Sequence, residues 1–228
     1  MDNNKQLTNK KGIFINMREY YEAMGLDPFS VLPLTFHIKN STDSEFKRLE
    51  IEYNKLTAVI KDRAAKMNAE VSKLLASRKK KGGKKIARIA DSDYDDEYDL
   101  YSECEDEEIN AIKKKYRVPF NSWIVKPGEN SNRGVGINVV QSLQEIRGLI
   151  GGKRAGQENT YIVQKYIDFP LLIHKRKFDF RVFAMLTSIN KKLKGYFYED
   201  GYIRTSSREF DLNDLSDKFV HLTNDAIQ

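Results

Sequence analysis

The sequence predicts a mixed α/β fold of the α+β kind, joined to a long helix and a charged insertion. Three observations lead there. Apolar residues recur every three or four positions from Phe46 to Leu74, the period of one helix face. After Pro119 short apolar runs alternate with polar residues and are broken by turn-forming residues, the period of strands. Between these regions lies a tract in which positive and negative charges are segregated and few residues could build a core. The strands pair as hairpins around a short helix, which excludes a simple Rossmann arrangement. Three regions follow: an N-terminal region over 1–77, a charged low-complexity insertion over 78–115, expected to be disordered, and an α/β ligand-binding domain over 116–228.

In chain order, Ile13, Phe14 and Ile15 read as a short strand. Tyr20, Tyr21, Met24 and Leu26 line a short helix ending near Gly25, and residues 32–38, LPLTFHI, read as a partly buried strand. Thr42 and Glu45 fit a capping box that starts the long helix. Its stripe contains Phe46, Leu49, Tyr53, Leu56, Ile60, Ala64, Met67, Val71 and Leu74. A helix packed on its own domain and a partner-binding coiled coil both use such a stripe. The insertion opens with the basic run RKKKGGKKIAR, continues through an acidic block over 91–108 and closes on Lys113, Lys114 and Lys115. Residues 123–126, WIVK, form a strand and INVV its hairpin partner. A helix over 142–149 turns Leu143, Ile146 and Ile150 inward, and GGKRAGQEN is a loop. Residues 161–166 form a strand, 178–188 a long strand, 193–198 its partner across the turn 190–192, and 202–205 a short strand.

Composition narrows the classes. The chain has 228 residues, 40% of them hydrophobic, enough for one large domain or two small ones. The net charge of +6 fits a nucleic-acid surface, an acidic partner or simple solubility. Nucleic acid is the least favoured, because the aromatics follow strand alternation and so serve a core better than a stacking platform. One cysteine, Cys104, excludes an intramolecular disulfide and a cysteine-based zinc site. The first residues carry no apolar signal core and no run reaches transmembrane length, so a cytoplasmic protein without a membrane partner is expected.

The chemistry lies after Pro119. Alternation in WIVK sends Trp123 and Val125 to one face and Lys126 to the other, beside the loop 128–136 with its glycines. A lysine at a strand end next to open backbone amides suits phosphate oxygens. The loop matches neither GxxxxGK[ST] nor GxGxxG, and an ordinary hairpin turn is the competing reading. YIVQKYI ends in polar and aromatic residues whose main chain could meet a base edge, with an ordinary edge strand as the alternative. In RKFDFRVF, Lys177, Asp179 and Arg181 share one strand face, while Phe178, Phe180 and Val182 share the other and are expected in the core. Three aligned charges need partners or a charged ligand. Arg204, in GYIRTSS, and the cluster His221, Thr223 and Asn224 complete the polar set, though a helix cap explains the last equally well.

WIVKPGENSNRGVGI, YIVQKYI, LLIHKRKFDFRVFAML, GYIRTSS and VHLTNDAIQ, taken together and in this order, resemble the tubulin–tyrosine ligase-like family over about residues 119–228. LPLTFHI resembles the family's N-terminal region more weakly. The resemblance implies an ATP-grasp fold, here incomplete at the C-terminus, and an ATP-dependent ligase that joins an amino acid to a protein carboxylate through an acyl-phosphate. It implies that Lys126 contacts the α- and β-phosphates under a lid that includes Gly134 and Gly136. Gln164, Lys165, Tyr166 and Ile167 would receive adenine, and Lys177 and Asp179 would lie at the phosphate and ribose side. Arg181, Arg204 and His221 would be catalytic, with Thr223 and Asn224 near nucleotide and amino acid. The implied cofactors are ATP and Mg2+; no metal ligand is assigned in this chain, because the family's acidic and amide magnesium ligands are expected beyond residue 228. The implied partners are a free amino acid, glutamate favoured as in polyglutamylation, and acidic tubulin tails or microtubules, reached by basic stretches at 78–88 and 113–115. That places the protein at the cytoskeleton or cilium. The alternative is a truncated or vestigial member that binds nucleotide or microtubules without catalysis.

Overall fold

A computed structural model of the chain describes residues 6, 9–80, 106–129, 134–151, 160–190 and 192–228. The run 81–105 with Cys104, residues 130–133 of the glycine loop, the loop 152–159 and Lys191 of the expected turn lie outside the described residues.

The chain divides into two compact units, residues 1–51 with 122–228 and residues 52–121. The first opens with helix α1, Lys10–Ala23, capped by Asn9, whose side chain accepts from the Gly12 amide at 2.6 Å. Ile13, Phe14 and Ile15, expected as a strand, belong to this helix. Phe14 is buried and Ile13 is 46% exposed, so the run is one helical turn showing two faces. Met24 closes the helix and Gly25 follows at φ +68°. A 3-10 turn, Pro28–Ser30, leads to β1, Thr35–Ile38, shorter than expected.

The long helix α2 spans Ser44–Lys80. Its start is not the Thr42–Glu45 box. Asp43 accepts from the amides of Phe46 and Lys39, while Glu45 is held by Arg18 and Arg48. The reciprocal box appears instead at Ser142 and Glu145, where the Ser142 hydroxyl accepts from the Glu145 amide at 3.1 Å and the Glu145 carboxylate accepts from the Ser142 amide at 3.0 Å. It opens α4, Leu143–Gly151.

In the second unit, α2 pairs with α3, Glu107–Tyr116, all of whose residues but Tyr116 were expected in the insertion. Ile60, Met67 and Val118 form the core there, with Leu56, Ala64, Ile112 and Tyr116 against it. Arg78 bridges Asp106 and Glu108, and Glu70 receives Lys115 and Tyr116 at 2.7 Å each.

The first unit is built on an antiparallel sheet in the order β1–β4–β2–β3, with β2 as Trp123–Pro127, β3 as Asn138–Val140 and β4 as Tyr161–Lys165. Register puts Phe36, Val125 and Val163 in line, and Trp123 opposite Val140. Phe36, Ile38, Phe46, Leu49, Trp123, Val125, Ile146 and Val163 are each at most 2% exposed and make the core. The other face carries Thr35, His37, Gln164 and Lys126. β5, Leu172–Ile173, β6, Arg176–Arg181, and β9, Tyr202–Thr205, form a second sheet, and β7, Ala184–Ile189, pairs with β8, Lys192–Phe197. The expected long strand 178–188 breaks at Val182 and Phe183 into β6 and β7. Phe180 and Val182, expected in the core, are 65% and 54% exposed, because among the described residues no element covers that face. The chain closes with a short helix, α5, Lys218–His221.

Candidate functional site

Lys126 is the penultimate residue of β2, on the polar face of the first sheet. Its ammonium donates to Gln164 Oε1 at 2.8 Å, Gln164 Nε2 donates to Thr35 Oγ1 at 2.9 Å, and Thr35 donates to the Pro33 carbonyl at 2.6 Å. The ammonium can only donate, so this order fixes the Gln164 amide. Burial, and then the charge of Lys10, lower the pKa of Lys126. β4 is a central strand and not the edge strand weighed from sequence, so Gln164 is locked from both sides.

Lys177 on β6 donates to Tyr166 Oη at 2.9 Å and lies 4.3 Å from that ring's centroid. Tyr166 Oη in turn meets His221 Nδ1 at 2.9 Å, and His221 Nε2 meets the Asp214 carbonyl at 2.9 Å. Burial, and then the charge of Lys126, pull the Lys177 pKa down to about 8 against the opposing pull of Asp179. Burial raises the Tyr166 pKa, helped by Asp168. Burial also keeps His221 below the ordinary imidazole value, with the Lys177 charge adding to it.

Asp179 faces Arg204 across the β6–β9 pair. The guanidinium donates from Nε at 2.8 Å and Nη2 at 2.7 Å, and Thr223 adds its hydroxyl to the same carboxylate. Burial works to raise the Asp179 pKa, but the hydrogen bonds from Arg204 and Thr223 outweigh it and the group sits below its ordinary value. Asp179 raises the Arg204 pKa correspondingly.

The other expected site residues are placed apart from these clusters. Lys165 lies on the core-side register of β4 and donates to both Asp168 oxygens at 2.8 Å and to the Tyr166 carbonyl at 3.0 Å. Ile167 is 57% exposed, and Arg181 is exposed at the end of β6. Gly134 and Gly136 have φ of +78° and +74°, a region closed to most side chains. A Cβ on Gly134 would collide with Ile227 and lie 3.6 Å from Asn224 Oδ1; on Gly136 it would lie 2.9 Å from the Pro127 ring. The glycines thus let the loop end pass close to the C-terminal segment and return to β3.

Residues the sequence did not single out also shape the site. Glu129 accepts from the Lys11 ammonium at 2.7 Å, the Thr160 hydroxyl at 2.6 Å and the Thr160 amide at 3.0 Å. This ties the start of the loop to α1 and to the residue that precedes β4. Asp168 and Asp214 hold Lys165 and His221. Local sequence gives no signal for the Glu129 and Asp214 contacts, which come from more than thirty positions away or from the main chain, whereas Asp168 stands only three positions after Lys165. A cavity of about 410 Å³, lined by Ile137, Val139, Leu149, Leu215, Lys218 and His221 among others, opens beside this cluster. Its volume lies in the range of small-molecule pockets.

Among the described residues Lys126 and Lys177 are partly buried ammoniums that donate to an amide and a phenol and not to a carboxylate, an arrangement able to meet an anionic ligand. A magnesium ion has no such fit, since among the described residues no group of three or more His, Cys, Asp or Glu could hold a metal. Among the same residues no helix is long and apolar enough to cross a membrane.

The sequence matches the model of the tubulin-tyrosine ligase family over residues 54–228. It is 41% identical over 124 residues to tubulin glycylase 3B of Drosophila melanogaster, covering 54% of this chain and 16% of that protein. It is 45% identical over 130 residues to the human tubulin monoglycylase TTLL3, covering 55% and 16%. It is 36% identical over 125 residues to the probable alpha-tubulin polyglutamylase Ttll1 of Tetrahymena thermophila, covering 51% and 30%. The matched segments therefore span well under a third to just under a third of these relatives' lengths. With most of the residues inside the family match, this chain belongs to the tubulin-tyrosine ligase family.

Proposed function

We propose that this chain forms the nucleotide bed of an ATP-dependent ligase that adds an amino acid to a carboxylate on tubulin tails. The observation that carries the reading is the approach of Lys126 and Lys177 from two sheets. Both are partly buried and held below the ordinary lysine value, Lys177 in part by the Lys126 charge, and such cations are costly unless a polyanion joins them. Triphosphate oxygens supply that charge, and Gly134 and Gly136 shape the loop beside it. Gln164, Lys165, Tyr166 and Ile167 receive the base, Lys165 and Ile167 chiefly through main chain, and Thr223 and Asn224 border the nucleotide and amino acid.

In the proposed reaction the acceptor carboxylate oxygen attacks the γ-phosphorus of ATP, and ADP leaves. The amine of the free amino acid then attacks the acyl-phosphate carbon, phosphate leaves, and an amide bond remains. Phosphoryl transfer needs positive charge held in place more than covalent help. Arg204 suits this, because Asp179 grips Nε and Nη2 and leaves Nη1 outside the fork. Arg181, on the same strand face, adds a second guanidinium. Mg2+ would neutralise the phosphates when bound, but the described residues do not supply its ligands. A tubulin substrate places the protein in the cytoplasm, at the cytoskeleton or cilium.

Glutamate is the donor favoured from the sequence. Glycine is the second reading, supported by the 41% and 45% identity to proteins named as glycylases. The test is incorporation of labelled glutamate and glycine into tubulin by the full-length protein with Mg-ATP. No incorporation while ATP still binds would leave a nucleotide- or microtubule-binding member without ligase activity. Unchanged ADP affinity after Lys126→Ala and Lys177→Ala would sink the nucleotide bed itself.

A further inference from the structure

We propose that Tyr166 and His221 are positioning residues that aim the Lys177 ammonium at the phosphates, His221 acting through Tyr166 without touching substrate. This rests on the nucleotide reading above. With a neutral imidazole the hydrogen bonds allow one polarity only. The Asp214 carbonyl can only accept, so His221 Nε2 carries a proton and donates to it. In the neutral ring Nδ1 is then an acceptor, and the Tyr166 hydroxyl donates to it. The phenol oxygen keeps its lone pairs for one N–H of Lys177. Each donor meets one acceptor from the main chain outward to the ammonium, which retains two further N–H groups for a ligand.

Packing makes the chain of bonds rigid. Tyr166 is 4% and His221 2% exposed. Their rings meet edge to face at 5.6 Å, and Phe210 closes on the imidazole at 6.1 Å. A lysine otherwise loses several rotamers on binding, and a held one has less to lose. Protonation of His221 at Nδ1 would make the phenol oxygen accept from both ring and ammonium and turn its own proton away from the imidazole, so the neutral ring is the form that keeps every donor paired. The groups around it agree: Lys177 opposes a second cation, and burial outweighs the pull of Asp214 and Asp217. Facing Lys177 are Lys126 from β2 and Asp179 from β6.

The experiment uses the 228-residue chain with Tyr166→Phe, His221→Phe and His221→Gln, each checked by thermal melting. Tyr166→Phe keeps the ring and its packing and removes only the hydroxyl. Two quantities are read: the titration of Lys177 in the free chain by side-chain NMR, and ADP affinity against pH. Tyr166→Phe should move the Lys177 titration down, because the charged form loses an acceptor. It should weaken ADP about tenfold. His221→Phe should do the same, and His221→Gln should restore most of the loss by again offering the phenol an acceptor. In a Lys177→Met background Tyr166→Phe should cost nothing more. If His221→Phe does not fold, Tyr166→Phe alone and paired with Lys177→Met decide the matter. ADP binding with an unmoved Lys177 titration in Tyr166→Phe overturns the positioning role alone. No ADP binding by the unaltered chain removes the nucleotide reading, and the phosphate role with it, whatever the NMR shows.

Discussion

At the scale of single residues, two side chains carry measurable signatures. Lys177 titrates near pH 8 in the free protein, and phosphate oxygens favour its charged form. The complex therefore holds more protons than the free chain above that pH. ADP affinity should fall as pH rises through about 8, with proton uptake on binding visible by calorimetry in two buffers. Asp179 is the opposite case. Its folded pKa lies below the usual 3.8, so its contribution to stability is complete above the unfolded value and lost as pH falls through the folded one. Urea unfolding at neutral pH should show Asp179→Asn less stable than the parent, and the difference should shrink as the pH falls below the usual carboxylate range and the parent's carboxylate protonates. Lys126, Lys177, Asp179 and Arg204 were legible as charges on strand faces. Their partners were not, because Tyr166, His221 and Thr223 reach them only once β6, β9 and the C-terminal segment fold together.

At the scale of elements, local chemistry explains most starts and stops, yet not always at the residue that sequence favours. Thr42 and Glu45 have the spacing of a capping box, but Arg18 and Arg48 claim Glu45 and leave Asp43 to cap α2. Asp43→Ala should cost about 1 kcal/mol, read by denaturant unfolding, whereas Thr42→Ala should cost only a few tenths. Ile13 to Ile15 looked like a strand because three apolar residues in a row carry no period. The surrounding helix is decided by Asn9 at its start and Phe14 against the fold. Gly136 sits at φ +74° with the Pro127 ring behind it. Gly136→Ala should destabilise the chain by about 1–2 kcal/mol and weaken ADP binding, as the turn into β3 shifts.

At the scale of the whole molecule, two compact cores share helix α2, one around Trp123 and one around Met67. Trp123 is the single tryptophan and is fully buried, so its fluorescence should shift to the red when the first core opens. Leu49→Ala should remove about 3 kcal/mol from that transition by leaving a cavity under the sheet. The sequence by itself determined the α+β class, the stripe of α2, the alternation that separates Lys126 from Trp123, and the ordered motifs that mark the family. These follow from periodicity and residue chemistry, which act over a few neighbouring positions. Only the tertiary structure decided which charges meet: Lys126 with Gln164, Lys177 with Tyr166 and His221, Asp179 with Arg204 and Thr223. It also left the Phe180 face open where alternation predicted a core. The reason is physical: period tells which residues share a face, but only the packing of distant segments tells what that face meets.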